Sequence, residues 1–241
     1  MARMSRCSPE IPNIGAWVYR ALCRLSIQGL VVLTAGLGFS LDAFSDETTP
    51  NAASPYLRIT GQDEEEAREG WDRIFRQNKG YLYGTEPAAF LKEQVGRLPV
   101  GRALDIAMGE GRNAVYLAKR GFRVEGVDFS SEAIRKAERL ARSHGVAIQS
   151  INADLNQYSI RAESYDAILN VNFVLRSLIP KMKRGLRRGG VVIFEARLDS
   201  RGAQGFRPGE LRSLFADFEI LVDRESTGTA GPVVSLVARK P

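Results

Sequence analysis

Histidine occurs once in the 241 residues, as His144, and cysteine only twice, as Cys7 and Cys23. Beyond residue 23 there is no thiol, which excludes a cysteine nucleophile, a cysteine-based zinc site and an internal disulfide from the rest of the chain. That part can fold in either redox compartment. Internal repeats are absent, and so is an RNA-stacking signature. Hydrophobic residues at 44% and charged residues at 26% are ordinary globular values, so the composition indicates neither disorder nor a polytopic membrane protein. The length suits one well-buried domain, or one domain with an appendage.

Lys and Arg exceed Asp and Glu by 34 to 28. A balance of this size can attract nucleic acid or an anionic membrane. The bases are scattered, however, except in KMKRGLRR at 181–188. That run reads as a solvated helix end whose cations complement the negative pole of the dipole, and no nucleic-acid partner is expected.

Residues 1–24 carry four arginines and one acid, residues 25–41 (LSIQGLVVLTAGLGFSL) carry no charge, and acids follow at Asp42, Asp46 and Glu47. Bases before and acids after an apolar stretch have the pattern of a signal peptide or membrane-anchor-like segment over 1–45, with small residues near Ala43 for cleavage. An organelle-targeting peptide and an upstream start-site extension fit the same residues. The first readings make the protein exported or attached to a membrane through 25–41; the last leaves it cytoplasmic. Residues 46–62 read as a polar, Pro-containing linker, and 63–241 as the globular domain.

Within 63–241 the apolar pattern alternates between short buried runs and helical spacing. Helices are expected at 63–77, from a Thr85 cap with Pro87 in its first turn, at 111–120, at 131–144 behind a serine cap, at 176–187 and briefly after Pro208. Strands are expected at 102–107, 122–128, 146–151, 165–171, 189–196, 217–223 and 233–239. Such alternation builds an α/β fold, a doubly wound three-layer sandwich with the sheet between two helix layers.

The stretch LDIAMGEGRN at 104–113 places Gly109, Gly111 and Ala114 in a G-x-G-x-x-A spacing after the first strand. In such sheets the ligand lies at the carboxyl ends of the strands. Those ends are acidic here: Asp105 in the first strand, Glu110 between the glycines, Asp128 closing the second strand and Asp154 after the third. A pyrophosphate needs bare N–H groups and is repelled by a carboxylate in the loop, whereas a ligand with an ammonium and a sulfonium is favoured. S-adenosylmethionine has that chemistry. Asp105 and the turn at Gly109 and Gly111 would receive its methionine portion, Asp128 the ribose hydroxyls, and Asp154 the adenine amine, with Phe129 and Leu155 flanking the ring. Asp128 also reads as a helix cap before Ser130, and Asp154 as a turn acid.

The segments LDIAMGEGRNAVYLA, VEGVDFS, NADL, YDAILNVNFVL and LRRGGVVIFE, in this order, resemble the successive motifs of class I S-adenosylmethionine-dependent methyltransferases. WDRIFRQNKGYLYGTEPAAFL and FRPGELRSLFADFEIL resemble the small bacterial branch related to tellurite-resistance methyltransferases. The resemblance implies a seven-stranded, mostly parallel sheet with its last strand antiparallel, and the roles given above for Asp105, Gly109, Gly111, Asp128 and Asp154. It further implies that Asn170 and Val171 line the cofactor, and that Trp71, Tyr81, Tyr83 and Gly84 fold over its methionine end; Trp71 and Phe75, one helical turn apart, also fit a core pair. Ala107 and Met108 stand where the family usually has glycine and cysteine, and the extra methyl of Ala107 narrows the approach to the ligand.

Methyl transfer from a sulfonium has a neutral leaving group, so the protein must align the acceptor and exclude water. A soft small-molecule acceptor, a thiol or a chalcogen oxyanion, needs no general base. Arg112 and Arg176 are the cations available to orient an anionic acceptor, and His144 reads as a solvated helix-end residue. A non-catalytic S-adenosylmethionine-binding module and an NAD-dependent oxidoreductase are the alternatives. No Tyr-x-x-x-Lys constellation supports the second.

Overall fold

The structure, a computed structural model, describes residues 61–202, 205–228 and 231–241. The segment at 1–45 and the linker as far as residue 60 lie outside the described residues. Among those described, no helix is long and apolar enough to cross a membrane.

The strands are β1 (Arg102–Ile106), β2 (Arg123–Asp128), β3 (Gln149–Asn152), β4 (Tyr165–Val171), β5 (Leu186–Arg197), β6 (Glu219–Gly228) and β7 (Gly231–Arg239). They form one sheet in the order β3-β2-β1-β4-β5-β7-β6. β1 to β5 pair in parallel, and β7 runs antiparallel to both β5 and β6. The order reverses between β1 and β4, which places the ligand crevice beside β1.

The period of two in the central strands decides the layering. Leu104, Ile106, Ile168, Val192 and Phe194 belong to one core with Leu178, Ile179, Met182, Leu211 and Phe215. Ala103, Ala167, Leu169, Val191 and Ile193 face the other way, onto Phe90, Leu91, Ala114 and Leu117. The helices supplying these partners are α2 (Ala89–Gln94) and α3 (Arg112–Ala118) on one side, and α5 (Ile179–Gly185) and α6 (Glu210–Leu214) on the other. Helix α1 (Gly61–Gln77) precedes them, and α4 (Ser131–Ser143) follows β2. Ser130 caps α4 by accepting from Ala133 N at 3.1 Å, as its sequence position leads one to expect.

Boundaries depart from expectation where long-range contacts intervene. Helix α1 starts at Gly61, two residues early. Helix α2 starts at Ala89 rather than at Thr85, because the Ala88 N–H donates to Asn113 Oδ1 at 2.9 Å and the preceding residues join a strap over the crevice. The helix expected at 176–187 is a 3-10 turn, Arg176–Leu178, followed by α5, and Leu186 already pairs with Tyr165 in the sheet.

Candidate functional site

A crevice opens at the carboxyl ends of β1, β2 and β4. Trp71 and Phe75 of α1 line it, with Tyr83 and Gly84 of the strap, the loop from Ala107 to Glu110, Arg112 and Asn113 at the start of α3, Asp128 and Phe129 after β2, and Val171, Asn172 and Phe173 after β4. Of the residues expected at the cofactor, Trp71, Tyr83, Gly84, Ala107, Gly109, Asp128, Phe129 and Val171 are therefore on its wall. Trp71 and Phe75 pack with ring centroids 5.6 Å apart, so they are wall and ring pair at once.

The glycine loop is shaped by positive φ angles at Ala107 (52°), Gly109 (55°) and Gly111 (81°). A Cβ on Gly109 would meet nothing within 4 Å, so its backbone stands open. Gly111 also meets a packing requirement. A Cβ there would lie 2.6 Å from the Ala137 Cβ, so its missing side chain lets α4 pack against the loop.

Asp128 receives the Gly109 N–H on Oδ2 at 2.8 Å and the Ser130 N–H on Oδ1 at 2.9 Å. It is thus both a bridge to the α4 cap and a crevice residue, with lone pairs left for a ligand. Burial pushes its carboxyl up to about 6 against those two backbone donors. Asp105 lies behind the wall, 1% exposed, and its Oδ2 has no hydrogen-bond partner. Burial raises its carboxyl to about 7, with the nearby Arg112 charge opposing and Asp128 adding to the rise.

Asp154, Leu155 and Asn170 are not on the crevice wall. Asp154 Oδ1 accepts from Asn156 N at 2.9 Å, as the turn-acid reading has it, while its Oδ2 is buried without a partner. Leu155 is a core residue, carried by that turn under the sheet beside Ile106 and Val127. Asn170 is fully buried, and both polar atoms of its carboxamide are unpartnered. An unsatisfied buried polar atom costs about 1–3 kcal/mol, so the orphaned atoms of Asp105, behind the wall, and of Asn170, one residue before the wall residue Val171, mark a place where a polar ligand fits.

Two charged residues differ from their sequence readings, and a third keeps its own. Glu110 is not a free negative charge, because its Oε1 lies 2.8 Å from Lys136 Nζ and its Oε2 accepts from Leu82 N at 2.6 Å. The repulsion of phosphates expected of Glu110 is cancelled by that lysine. Arg176 does not face the crevice; it is bidentate to Glu210 and donates to Gly205 O at 2.8 Å, which fastens the chain after β5. Arg112 does reach the crevice, where Nη1 donates to Tyr83 O at 3.1 Å and burial lowers its guanidinium's affinity for the proton.

His144 is the exposed C-cap of α4, about 20 Å of helix away from the Ser130 end that borders the site. One carboxylate went unnoticed in the sequence. Glu195 pairs with the wall residue Val171 across β4 and β5, accepts from Ser235 Oγ at 3.2 Å, and is raised in pKa chiefly by burial. The signal was available only as an acid ending an apolar strand.

Residues 103–190 match a family model described as a methyltransferase domain, and the sheet order, the crevice at the β1–β4 reversal and the orphaned polar atoms agree with it. Residues 103–190 are a methyltransferase domain of the S-adenosylmethionine-dependent kind. This methyltransferase domain is related to TehB. It is 26% identical over 141 residues to the Haemophilus influenzae protein named "Probable S-adenosyl-L-methionine-dependent methyltransferase TehB", spanning 53% of this chain and 49% of that protein. It is also 26% identical over 152 residues to a protein of Eikenella corrodens named Hemagglutinin 1, spanning 57% of this chain and 50% of that one. The chain spans about half the length of the curated relatives it matches.

Among solved structures, TehB from Haemophilus influenzae superposes with a TM-score of 0.58 at 21% identity, covering 71% of this chain and 67% of that one. The N-methyltransferase NodS from Bradyrhizobium japonicum WM9, in complex with S-adenosyl-L-homocysteine, superposes with a TM-score of 0.55 at 19% identity, covering 72% and 98%. At these identities the likeness is one of fold.

Proposed function

We propose that this methyltransferase domain moves a methyl group from S-adenosylmethionine to a soft small-molecule acceptor, a thiol or a chalcogen oxyanion. The observation that carries the reading is the crevice beside β1, whose wall holds Asp128 and the open backbone of Gly109, with the unpartnered Asp105 Oδ2 buried behind it. When bound, the cofactor supplies an activated methyl on a sulfonium, whose departure leaves a neutral thioether.

The chain's own residues bind and align. Asp105 and the open backbone of Gly109 hold the amino-acid end, Asp128 holds the ribose, and Phe129 lies against the adenine, whose amine is the donor Asp154 lacks. Trp71, Phe75, Tyr83 and Phe173 exclude water from the transfer line, and Arg112 turns an anionic acceptor toward it. Asn170, one residue before the wall residue Val171, supports the loop after β4. Alignment and exclusion of water are worth up to about 7–11 kcal/mol in favourable systems. A thiol reacts as its thiolate, its proton lost to solvent before transfer, and an oxyanion has none to lose, so neither acceptor calls for a base on the wall.

Thermal-shift titration with S-adenosylhomocysteine and NAD, followed by transfer of labelled methyl groups to a panel of thiols and oxyanions, tests the proposal. A ligand at a hundred times its dissociation constant adds about 2.7 kcal/mol of stability. Stabilisation by S-adenosylhomocysteine with methyl turnover supports it. Binding without turnover on any acceptor favours a binding module, and stabilisation by NAD alone overturns it.

The front end at 1–45 adds a second proposal, that the protein is exported or held at a membrane by residues 25–41. Its support is the uncharged run between flanking bases and acids. Fractionation of cells expressing the full chain, with the N-terminus of the product sequenced, tests it; a full-length product confined to the cytosol would overturn it.

A further inference from the structure

The most deeply buried ion pair at the crevice is unused by the mechanism above. The side chains of Lys136 and Glu110 are 6% and 3% exposed. Lys136 Nζ has three N–H donors, and each has a partner: Asn78 O at 2.9 Å, Gly80 O at 2.7 Å and Glu110 Oε1 at 2.8 Å. The other oxygen of Glu110 accepts the Leu82 N–H at 2.6 Å. The Tyr81 hydroxyl closes the set by donating to Lys136 O at 3.4 Å, with its ring packed against Val115, Leu140 and Ala141. Four consecutive or alternate positions of the strap, 78, 80, 81 and 82, are thus tied to one residue of α4 and one residue of the glycine loop.

We infer that Lys136 and Glu110 are a positioning pair that fastens the strap at 78–84 to the glycine loop, so that Tyr83 and Gly84 stand over the crevice and a bound cofactor is held there. The inference rests on the proposed cofactor reading for its last clause only.

The geometry argues for positioning rather than for stability. Glu110 lies between Gly109, whose backbone faces the crevice, and Gly111, which packs on α4. A carboxylate at that point joins the loop to whatever it binds, and what it binds is the strap. Burying two charges costs desolvation that their attraction barely offsets, so an apolar pair of equal volume would serve the core as well. It would not supply the donors that Asn78 O and Gly80 O receive, nor the acceptor for Leu82 N. Helix α4 holds α1 as well, since Asp72 Oδ1 accepts from the Glu132 N–H at 3.1 Å and from the Ser130 hydroxyl. The aromatic wall at Trp71 and the strap at Tyr83 therefore share one support, and Lys136 is the part of it that reaches the strap.

The test uses the full chain and the variants K136R, K136M and K136M/E110Q, the last keeping the shape of residue 110 at the crevice without an unpaired charge. Amide hydrogen exchange is followed at 78–84 without ligand, and dissociation of S-adenosylhomocysteine is followed by the change in tryptophan fluorescence in a W17F background. The double variant is expected to exchange the strap amides about tenfold faster while β1 and β4 keep their protection, and to release S-adenosylhomocysteine about tenfold faster. K136R is expected to restore both. Unchanged strap exchange and unchanged release in the double variant would overturn the inference. If the wild-type chain fails to bind S-adenosylhomocysteine, the cofactor reading falls, and the exchange measurement alone decides whether the pair fastens the strap. If K136M does not fold, the charge-free double variant still reports.

Discussion

The sulfur of Met108 occupies the place of the side chain that Gly126 lacks: a Cβ built on Gly126 would lie 2.1 Å from Met108 Sδ. The two residues sit on neighbouring strand ends, Met108 N donating to Val127 O at 3.0 Å, and the thioether then reaches Ile134 and Ala137 of α4. A methionine in the glycine loop, where the family usually has a cysteine, is accommodated because β2 offers no side chain at that point. Gly126→Ala is expected to cost about 1–3 kcal/mol by overpacking, and most of that is expected to return in the Gly126→Ala, Met108→Cys double variant. Urea unfolding of the four chains of the cycle measures the coupling; simple additivity would show that the contact is not the cause.

Gly109 and Gly111 are two residues apart and separable by experiment. Gly111→Ala drives a methyl into Ala137 at a φ of 81° and is expected to lower stability by about 2 kcal/mol or more. Gly109→Ala meets open space, so its cost is expected to stay near the roughly 1–2 kcal/mol of a left-handed alanine, while S-adenosylhomocysteine binding weakens by at least about tenfold. Paired unfolding curves and titrations distinguish the two; equal losses of stability would contradict the packing argument.

Ala107 holds a φ of 52°, a conformation that costs a residue with a Cβ about 1–2 kcal/mol. Ala107→Gly is expected to leave stability equal or higher, since glycine's own entropic cost of about 0.5–1 kcal/mol does not exceed the relief, and to tighten S-adenosylhomocysteine binding by removing a methyl from the wall. Calorimetric titration of the variant checks the second half, and weaker binding would refute it.

The pH dependence follows from Asp105 and Asp128, whose carboxyls are raised from 3.8 to about 7 and about 6 by burial. The folded chain then binds more protons than the unfolded chain between about pH 4 and pH 7, so these groups lower stability as pH rises through that window and have no further effect above it. Arg112 faces Asp105 and opposes its shift, while Asp72 and Asp105 itself add negative charge near Asp128. Asp105→Asn removes the larger contribution, so its stability relative to wild type is expected to climb with pH by up to about 1.4 kcal/mol per unit until pH 7. Cofactor affinity has the opposite sign. A ligand ammonium requires ionised Asp105, and the dissociation constant of S-adenosylhomocysteine is expected to fall by up to about tenfold per unit as pH rises toward 6, by about fivefold from 6 to 7, and then to level off. A flat profile in both measurements would remove Asp105 from the site.

Removing one partner of the buried Lys136–Glu110 pair leaves a charge without compensation, so Lys136→Met alone is expected to cost about 3–5 kcal/mol, and the charge-free double variant less. Thermal or urea unfolding compares them. A double variant as unstable as the single one would mean that the lost strap contacts, not the stranded carboxylate, carry the cost.

Local chemistry alone determined a large part of this molecule. Apolar runs with a period of two or of 3.6, the serine cap at Ser130 and the glycine spacing after β1 act within a few residues, and they specified the succession of strands and helices along the chain and the glycine loop. The acids at strand ends were visible for the same reason. Only the tertiary structure decided what each charge meets, because its partner is far along the chain: Lys136, 26 residues away, neutralises Glu110, and Glu210, 34 residues away, draws Arg176 off the site. The start of α2 was likewise moved by Asn113, 25 residues from the amide it accepts. Periodicity reports which face of an element is buried, and Coulomb's law acts on distances that periodicity does not contain.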